Sequence, residues 1–276
     1  MTPSTGAESK PAIALWLQWP SLAGRPLSLD QGGGIRLLLT LALCIPALLS
    51  RLPAARAAQI YSNSFNGLVG TSYPEWSSSV ITYASTGTPP GSGALPAPVV
   101  TNIVSPNNAQ RFLGEFGGPP IGVPGDPGYN HTRVDQTVSL SLTNLPAHSS
   151  LQVVFDLYTL KSWDGNSPAY GRDRFILSVT GGPTLLDTTF SNNPKTNTDG
   201  SYQDYPAMNS PPWAGASSTD TLGYSGFFHD GIYRLQYTFA HTGSNVALNF
   251  RSSLFEGKGT RDESWGLDNV SVATVP

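Results

Sequence analysis

The sequence predicts an all-β fold, an antiparallel β-sandwich or jelly roll, and three observations carry that expectation. Apolar and polar residues alternate at period two along much of the chain. Clusters of Gly, Pro, Asn and Ser separate most of those runs, with 29 Gly and 24 Pro among 276 residues. Few segments are both long and rich in Ala, Leu, Glu and Lys, which argues against an all-helical protein. Collagen is excluded because Gly does not recur at every third position. Disorder is disfavoured by 10% aromatic residues, which supply surface to bury.

In chain order, the first feature is the apolar run 37–50, LLLTLALCIPALLS, flanked by Arg36, Arg51 and Arg56. As a helix it spans roughly 21 Å, short of the ~30 Å hydrocarbon core of a bilayer. Ala55 and Ala57 provide the small residues of a signal-peptidase site, with Ala58 as the first mature residue. The expectation is a signal peptide over 35–57, preceded at 1–34 by an unstructured extension or a mis-called start. The competing reading, a buried core helix, is opposed by Pro46 and the flanking arginines. The chain is therefore expected to be secreted, with one β-sandwich domain over 58–276.

Within that domain, Val138, Leu140 and Leu142 share one face of a strand, and Leu151, Val153, Phe155 and Leu157 share a face of the next. Phe175, Leu177 and Val179 make another, followed by runs at 232–239, 246–250 and 267–275. Shorter runs at 60–65, 79–83, 98–104 and 110–116 complete some ten strands. Two stretches break the pattern. Residues 117–130, GGPPIGVPGDPGYN, read as a Pro/Gly connection. Residues 191–230 show little alternation yet contain Tyr202, Tyr205, Trp213, Tyr224, Phe227 and Phe228. Ordered loops of that length are usually functional, although these aromatics could equally pin a surface loop to the sandwich.

Composition narrows the function classes. Residues 58–276 hold ten Lys and Arg against sixteen Asp and Glu, a net of −6, and twelve of the sixteen are Asp. An acidic, lysine-poor surface argues against nucleic acid and anionic membranes as partners. The single cysteine, Cys44, lies inside the signal segment, so the mature domain has neither a disulfide nor a thiolate zinc site. No G-x-S-x-G is present, and the four histidines fall singly, without i, i+4 metal spacing. No catalytic residue is assigned. A glycosidase would need two carboxylates facing one cleft. Asp262 and Glu263 are strand neighbours that point to opposite faces, which leaves Glu75, Glu115 and Glu256 as unpaired candidates.

Two signals do point to a ligand. Asp173 shares the inward parity of Phe175 and Leu177, and Asp268 that of Val270 and Val272. An inward carboxylate is costly unless paired, hydrogen-bonded or metal-bound. Asp164, Asn166, Asp173 and Asp268 are therefore the candidate ligands of a structural calcium, which favours such oxygens. The alternative is that Asp268 accepts backbone N–H groups or pairs with Arg172, Arg174 or Arg261. The second signal is aromatic: Trp163, Tyr170, Tyr202, Tyr205 and Trp213 are the candidate sugar-stacking residues, the ring faces suiting the C–H faces of a pyranose. Packing is the competing role for each, and Trp265 is expected in the core beside Leu267.

At Asp262-Glu263-Ser264-Trp265-Gly266-Leu267-Asp268-Asn269-Val270 the sequence resembles bacterial exported β-sandwich domains that end in a W-G-(I/L)-D-N-V strand, often in PEP-CTERM cell-surface proteins. Phe112-Leu113-Gly114-Glu115-Phe116, Ser162-Trp163-Asp164-Gly165 and Asp187-Thr188-Thr189-Phe190-Ser191-Asn192 look like further motifs of that group. The resemblance implies a concanavalin- or jelly-roll-like sandwich on the cell exterior and no particular activity. Relatives commonly continue beyond a Val-Pro such as Val275-Pro276 into a membrane anchor; that anchor is not carried over here.

The expectation from sequence is thus a secreted, non-catalytic module that binds a polysaccharide or surface glycan, with a structural calcium. Two alternatives stand beside it. One is a structural surface or matrix protein that mediates protein contacts or self-associates. The other is a polysaccharide-degrading enzyme acting through Glu75, Glu115 or Glu263.

Overall fold

A computed structural model of the chain describes residues 57–83, 99–118, 133–224, 229–255 and 259–275. The expected extension at 1–34, the signal segment up to residue 56, His131, Glu256, Phe227, Phe228 and most of the 117–130 connection lie outside the described residues.

Twelve strands are described: β1 (Ala58–Asn63), β2 (Trp76–Tyr83), β3 (Asn102–Val104), β4 (Arg111–Phe116), β5 (Arg133–Leu142), β6 (Ser150–Lys161), β7 (Arg174–Val179), β8 (Thr184–Thr189), β9 (Ser218–Thr219), β10 (Asp230–Ala240), β11 (Val246–Leu254) and β12 (Glu263–Val275). The one α-helix among the described residues is a single turn, Thr196–Asp199. All pairings between these strands are antiparallel. One sheet has the order β3-β4-β12-β6-β10-β9 and the other β2-β5-β11-β7-β8. The long β12 lies along β6 on one side; on the other its first half pairs β4 and its second half pairs β1. The chain changes sheet at every step between successive strands except β3 to β4, β7 to β8 and β9 to β10. This is the antiparallel β-sandwich expected from the alternation, with jelly-roll-type crossings.

The alternation explains the core. Val138 and Leu140 of β5, Leu177 of β7 and Phe250 of β11 point inward from one sheet, to meet Val153, Phe155 and Leu157 of β6 from the other. Rings bridge the layers: Phe155 meets Phe250 edge-on at 5.1 Å between centroids, and Phe175 meets Trp265 at 5.3 Å. Each such fully buried side chain contributes about 1.5–3 kcal/mol of transfer free energy. A smaller apolar cluster of Phe112, Tyr158, Leu160, Leu222 and Tyr224 sits apart from this core. Tyr158 and Leu160 have the opposite parity to Leu157, so the cluster lies on the outer face of the first sheet. The segment carrying Leu222 and Tyr224 covers it, held by Thr221 and Leu222 N–H groups that both donate to the buried Asp230 carboxylate at 3.0 Å.

β12 departs from the expected parity. Trp265 and Leu267 point into the core, and so do Val270 and Val272, which is three residues rather than two from Leu267 to Val270. A bulge makes up the difference, with the register against β6 slipping between Asp268 and Ser271 and Asn269 in a left-handed conformation (φ 48°). Asp268 therefore faces outward, on the side of Asp156 and Tyr158, and not into the core as counting back from Val270 suggested.

Candidate functional site

The loops at one end of the sandwich bring most of the sequence candidates together. β6 ends at Lys161, and the chain turns through Trp163, Asp164, Gly165 and Asn166 before entering β7 at Arg174. The Asp164 N–H donates to Asp173 Oδ2 across that turn. The Asp173 N–H donates to Gly165 O at 3.0 Å, closing the turn from the other side. The long loop packs on it: Asn166 N–H donates to Tyr202 O at 2.7 Å, and Asn193 Nδ2 donates to Asp164 Oδ1 at 2.5 Å.

Asp164, Asp173 and Glu263 form a buried group whose carboxylate oxygens lie within 4.8 Å of one another. Asp173 is fully buried, and its Oδ1 also accepts from the Phe255 N–H at 3.3 Å. Three ionised carboxylates this close and this buried repel strongly unless protons or a cation intervene. As a donor set, hard oxygens in a compact turn fit calcium better than a soft or imidazole-preferring metal.

Of the expected metal ligands, the structure brings Asp164 and Asp173 together and leaves Asp268 apart from them. Asn166 spends its amide elsewhere, donating to Asp204 at 2.8 Å and accepting from Arg172 Nε at 3.2 Å and Thr189 Oγ1 at 3.0 Å. Asp268 is removed by the bulge: it accepts from the Tyr158 hydroxyl at 2.9 Å and the Asn269 N–H at 2.7 Å. Burial, reinforced by nearby Asp156, pushes its carboxyl up to about 6, against the lowering effect of those two hydrogen bonds and of Arg234. Glu263 takes its place in the group. In the sequence Glu263 stands out only as a possible catalytic carboxylate, because nothing local places the start of β12 beside a turn about ninety residues earlier.

The aromatic candidates divide by burial. Trp163 is fully buried, packs edge-on against Phe190 at 6.4 Å and donates its indole N–H to Ser264 O at 2.7 Å. A ring with no exposed face cannot stack on a sugar, so Trp163 is a core residue. Tyr205 is half-buried in a ring cluster, 5.0 Å from Phe190 and 5.6 Å from Tyr233. Trp213, also half-buried, lies against the backbone of Gly231, where an added Cβ would sit 3.1 Å from its Cδ1. These two pin the long loop. Tyr202 is half-buried beside the Asp164–Asn166 turn. Tyr170 is the one aromatic residue among those described that is exposed, at 39%.

Tyr170 stands between two residues that line a cleft of about 560 Å³, Ala169 and Gly171. Its other walls include Arg133, Asn166, Arg172, Arg174 and Phe255. Gly171 shapes it: its φ is +100°, and an added Cβ would lie 2.2 Å from the Phe255 ring, so the chain is seated directly on that ring. All three arginines are ion-paired. Arg133 meets Asp135 at 3.1 Å, Arg172 meets Asp204 at 3.0 Å, and Arg174 grips both oxygens of Asp187 at 2.6 Å. A hollow of similar size, about 550 Å³, lies at the other end of the strands, around Gly181, Pro183 and His241; no ion pair or exposed aromatic ring borders it among the described residues.

The remaining candidates are scattered. Glu75 accepts from the Tyr61 hydroxyl at 3.0 Å, and Glu115 pairs with Lys161 at 2.5 Å. Neither they nor Glu263 line the arginine cleft. The histidines do not all fall singly, since His148 Nε2 and His241 Nδ1 meet at 2.8 Å. No helix among the described residues is long and apolar enough to cross a membrane.

No family model matches the chain, and no curated protein does. Among solved structures, it is similar to a carbohydrate-binding module whose mannan recognition has been dissected, at 14% identity and TM-score 0.40, over 80% of this chain and all of that one. It is also similar to latent PorU of Porphyromonas gingivalis (13% identity, TM-score 0.32, 79% of this chain and 14% of that one). The third is an α-xylosidase of Xanthomonas citri (8% identity, TM-score 0.29, 78% of this chain and 18% of that one). Similarities this loose assign neither family nor function; the β-sandwich stands on its own two sheets.

Proposed function

We propose that the protein is an exported, non-catalytic β-sandwich that binds carbohydrate through the loops at the Asp164–Arg174 end. The observation that carries this reading is the cleft lined by Phe255, Asn166, Arg172 and Arg174, with exposed Tyr170 next in sequence to its lining residues Ala169 and Gly171. Its volume, about 560 Å³, is in the range of small-ligand sites. Flat apolar surface beside fixed planar hydrogen-bonding groups suits a pyranose, which has apolar C–H faces and an equatorial rim of hydroxyls. The buried Asp164, Asp173 and Glu263 group has a supporting role in this reading, as ligands of a structural calcium that fixes the turn behind the cleft.

A polysaccharide-binding screen of the purified protein, with calcium and with a chelator, tests both parts. Binding that weakens at least tenfold in Tyr170→Ala supports the siting, and full retention of binding in that variant contradicts it. A second reading, a surface protein engaged in protein contacts, is favoured by Leu68, Val69 and Val99, which are 83%, 54% and 73% exposed. Concentration-dependent self-association without glycan affinity is its signature.

A further inference from the structure

We infer that the arginine-lined cleft takes an uncharged sugar chain rather than a uronic-acid or sulfated one. The inference rests on the carbohydrate reading above and names the ligand class of the same site. Three arginines on one cleft of an acidic protein look at first like an anion trap. Their partners reverse that conclusion. Each guanidinium already has an aspartate: Asp135 for Arg133, Asp204 for Arg172 and Asp187 for Arg174. Behind the cleft, the Phe255 N–H ties the wall to Asp173, one of three clustered carboxylates. Among the described residues, an incoming carboxylate or sulfate would therefore meet arginines that already have a carboxylate partner, and would have to displace Asp187 to take the bidentate Nε and Nη edge of Arg174.

A hydroxyl needs no such exchange. Arg174 uses Nε and one Nη on Asp187, and Arg172 uses Nε on Asn166 and one Nη on Asp204. A guanidinium has five N–H donors, so each keeps donors on its other Nη, and the paired carboxylates keep lone pairs. Each Arg–Asp pair is then a rigid donor beside a rigid acceptor. That matches vicinal hydroxyls, each of which donates and accepts at once.

The test compares neutral polymers, a soluble β-glucan and a galactomannan, with alginate and polygalacturonate, by affinity electrophoresis and calorimetry on the purified protein. A neutral polymer is expected to bind and the uronates not to. Binding should change less than twofold when NaCl is raised from about 0.01 to 1 M, a range that shortens the Debye length roughly tenfold. Arg174→Gln and Arg172→Gln should each weaken it at least tenfold, with thermal stability within a few degrees of the parent because both ion pairs are exposed. Uronate binding that is lost with salt and in the same two variants would overturn the inference and leave the carbohydrate reading intact. Neutral binding indifferent to both variants would overturn the siting. Failure of all four polymers to bind would overturn the carbohydrate reading and this inference with it.

Discussion

Asn269 shows how one residue's backbone can redirect its neighbour's chemistry. Its left-handed conformation puts an extra residue into β12, and Asp268 moves from the core side to the side of Tyr158. An Asn in that conformation was legible as a type but not as a bulge, because the same residue reads equally well as the polar position of a regular strand. The consequence is testable through pH. The folded-state carboxyl of Asp268, at about 6, lies above that of an unfolded aspartate. Folding thus favours its protonated form. Its contribution to stability is complete below about pH 4 and is lost as the pH rises through about 6. Asp268→Asn should therefore gain in melting temperature relative to the parent as the pH goes from 4 to 7; a difference constant over that range would contradict the assignment. Gly171 makes a second prediction at this scale. Gly171→Ala forces a methyl into the Phe255 ring at an unfavourable φ, and should cost about 1–3 kcal/mol on denaturant unfolding and deform the cleft. An unchanged midpoint would mean that the chain is not seated on that ring.

Among elements, the buried central strands were the legible ones. β5, β6, β7 and β11 alternate cleanly because one face of each meets the opposite sheet. β8 was missed as a strand for the converse reason. It is an edge strand, and its Thr184-Leu185-Leu186-Asp187-Thr188 places both leucines at half-buried positions instead of alternating them. The long loop was legible as an exception, with two roles open. Its aromatic content left a ligand platform and a pinned surface loop as alternatives; the rings of Tyr205 and Trp213 pin it, and buried amides that the sequence does not mark dock it as well. Asn192, fully buried, donates through Nδ2 to Thr159 O at 3.1 Å and Lys161 O at 3.0 Å and accepts from Thr159 Oγ1 at 3.0 Å. Gln203 likewise accepts from the Ser191 N–H at 3.0 Å and donates to Ala214 O at 2.9 Å. Asn192→Ala strips partners from these buried groups and should destabilise by roughly 2–3 kcal/mol. Hydrogen exchange should then speed up across residues 191–216; exchange confined to its parental rates would show that the loop is held by its rings alone.

For the whole molecule, the sandwich is a scaffold that gathers residues remote in sequence at one set of loops. Asp164 and Asp173 come from the β6–β7 connection and Glu263 from the start of the last strand; a reading one segment at a time pairs the first two and has no means to add the third. The same holds for Phe255, which follows β11 and forms part of a cleft otherwise built largely from residues 166–174. If a calcium compensates the buried carboxylates, chelation should lower the melting temperature by several degrees and Glu263→Gln should abolish that response. Equal melting temperatures with and without calcium would instead mean that protons do the compensating. Where a sugar binds is measured most directly by an NMR titration of the isotopically labelled protein with a soluble neutral oligosaccharide. The prediction is saturable amide shifts confined to residues 166–174 and 253–255; shifts centred on Leu68 and Val69 or on the Gly181 end, with the Tyr170 region silent, would contradict it.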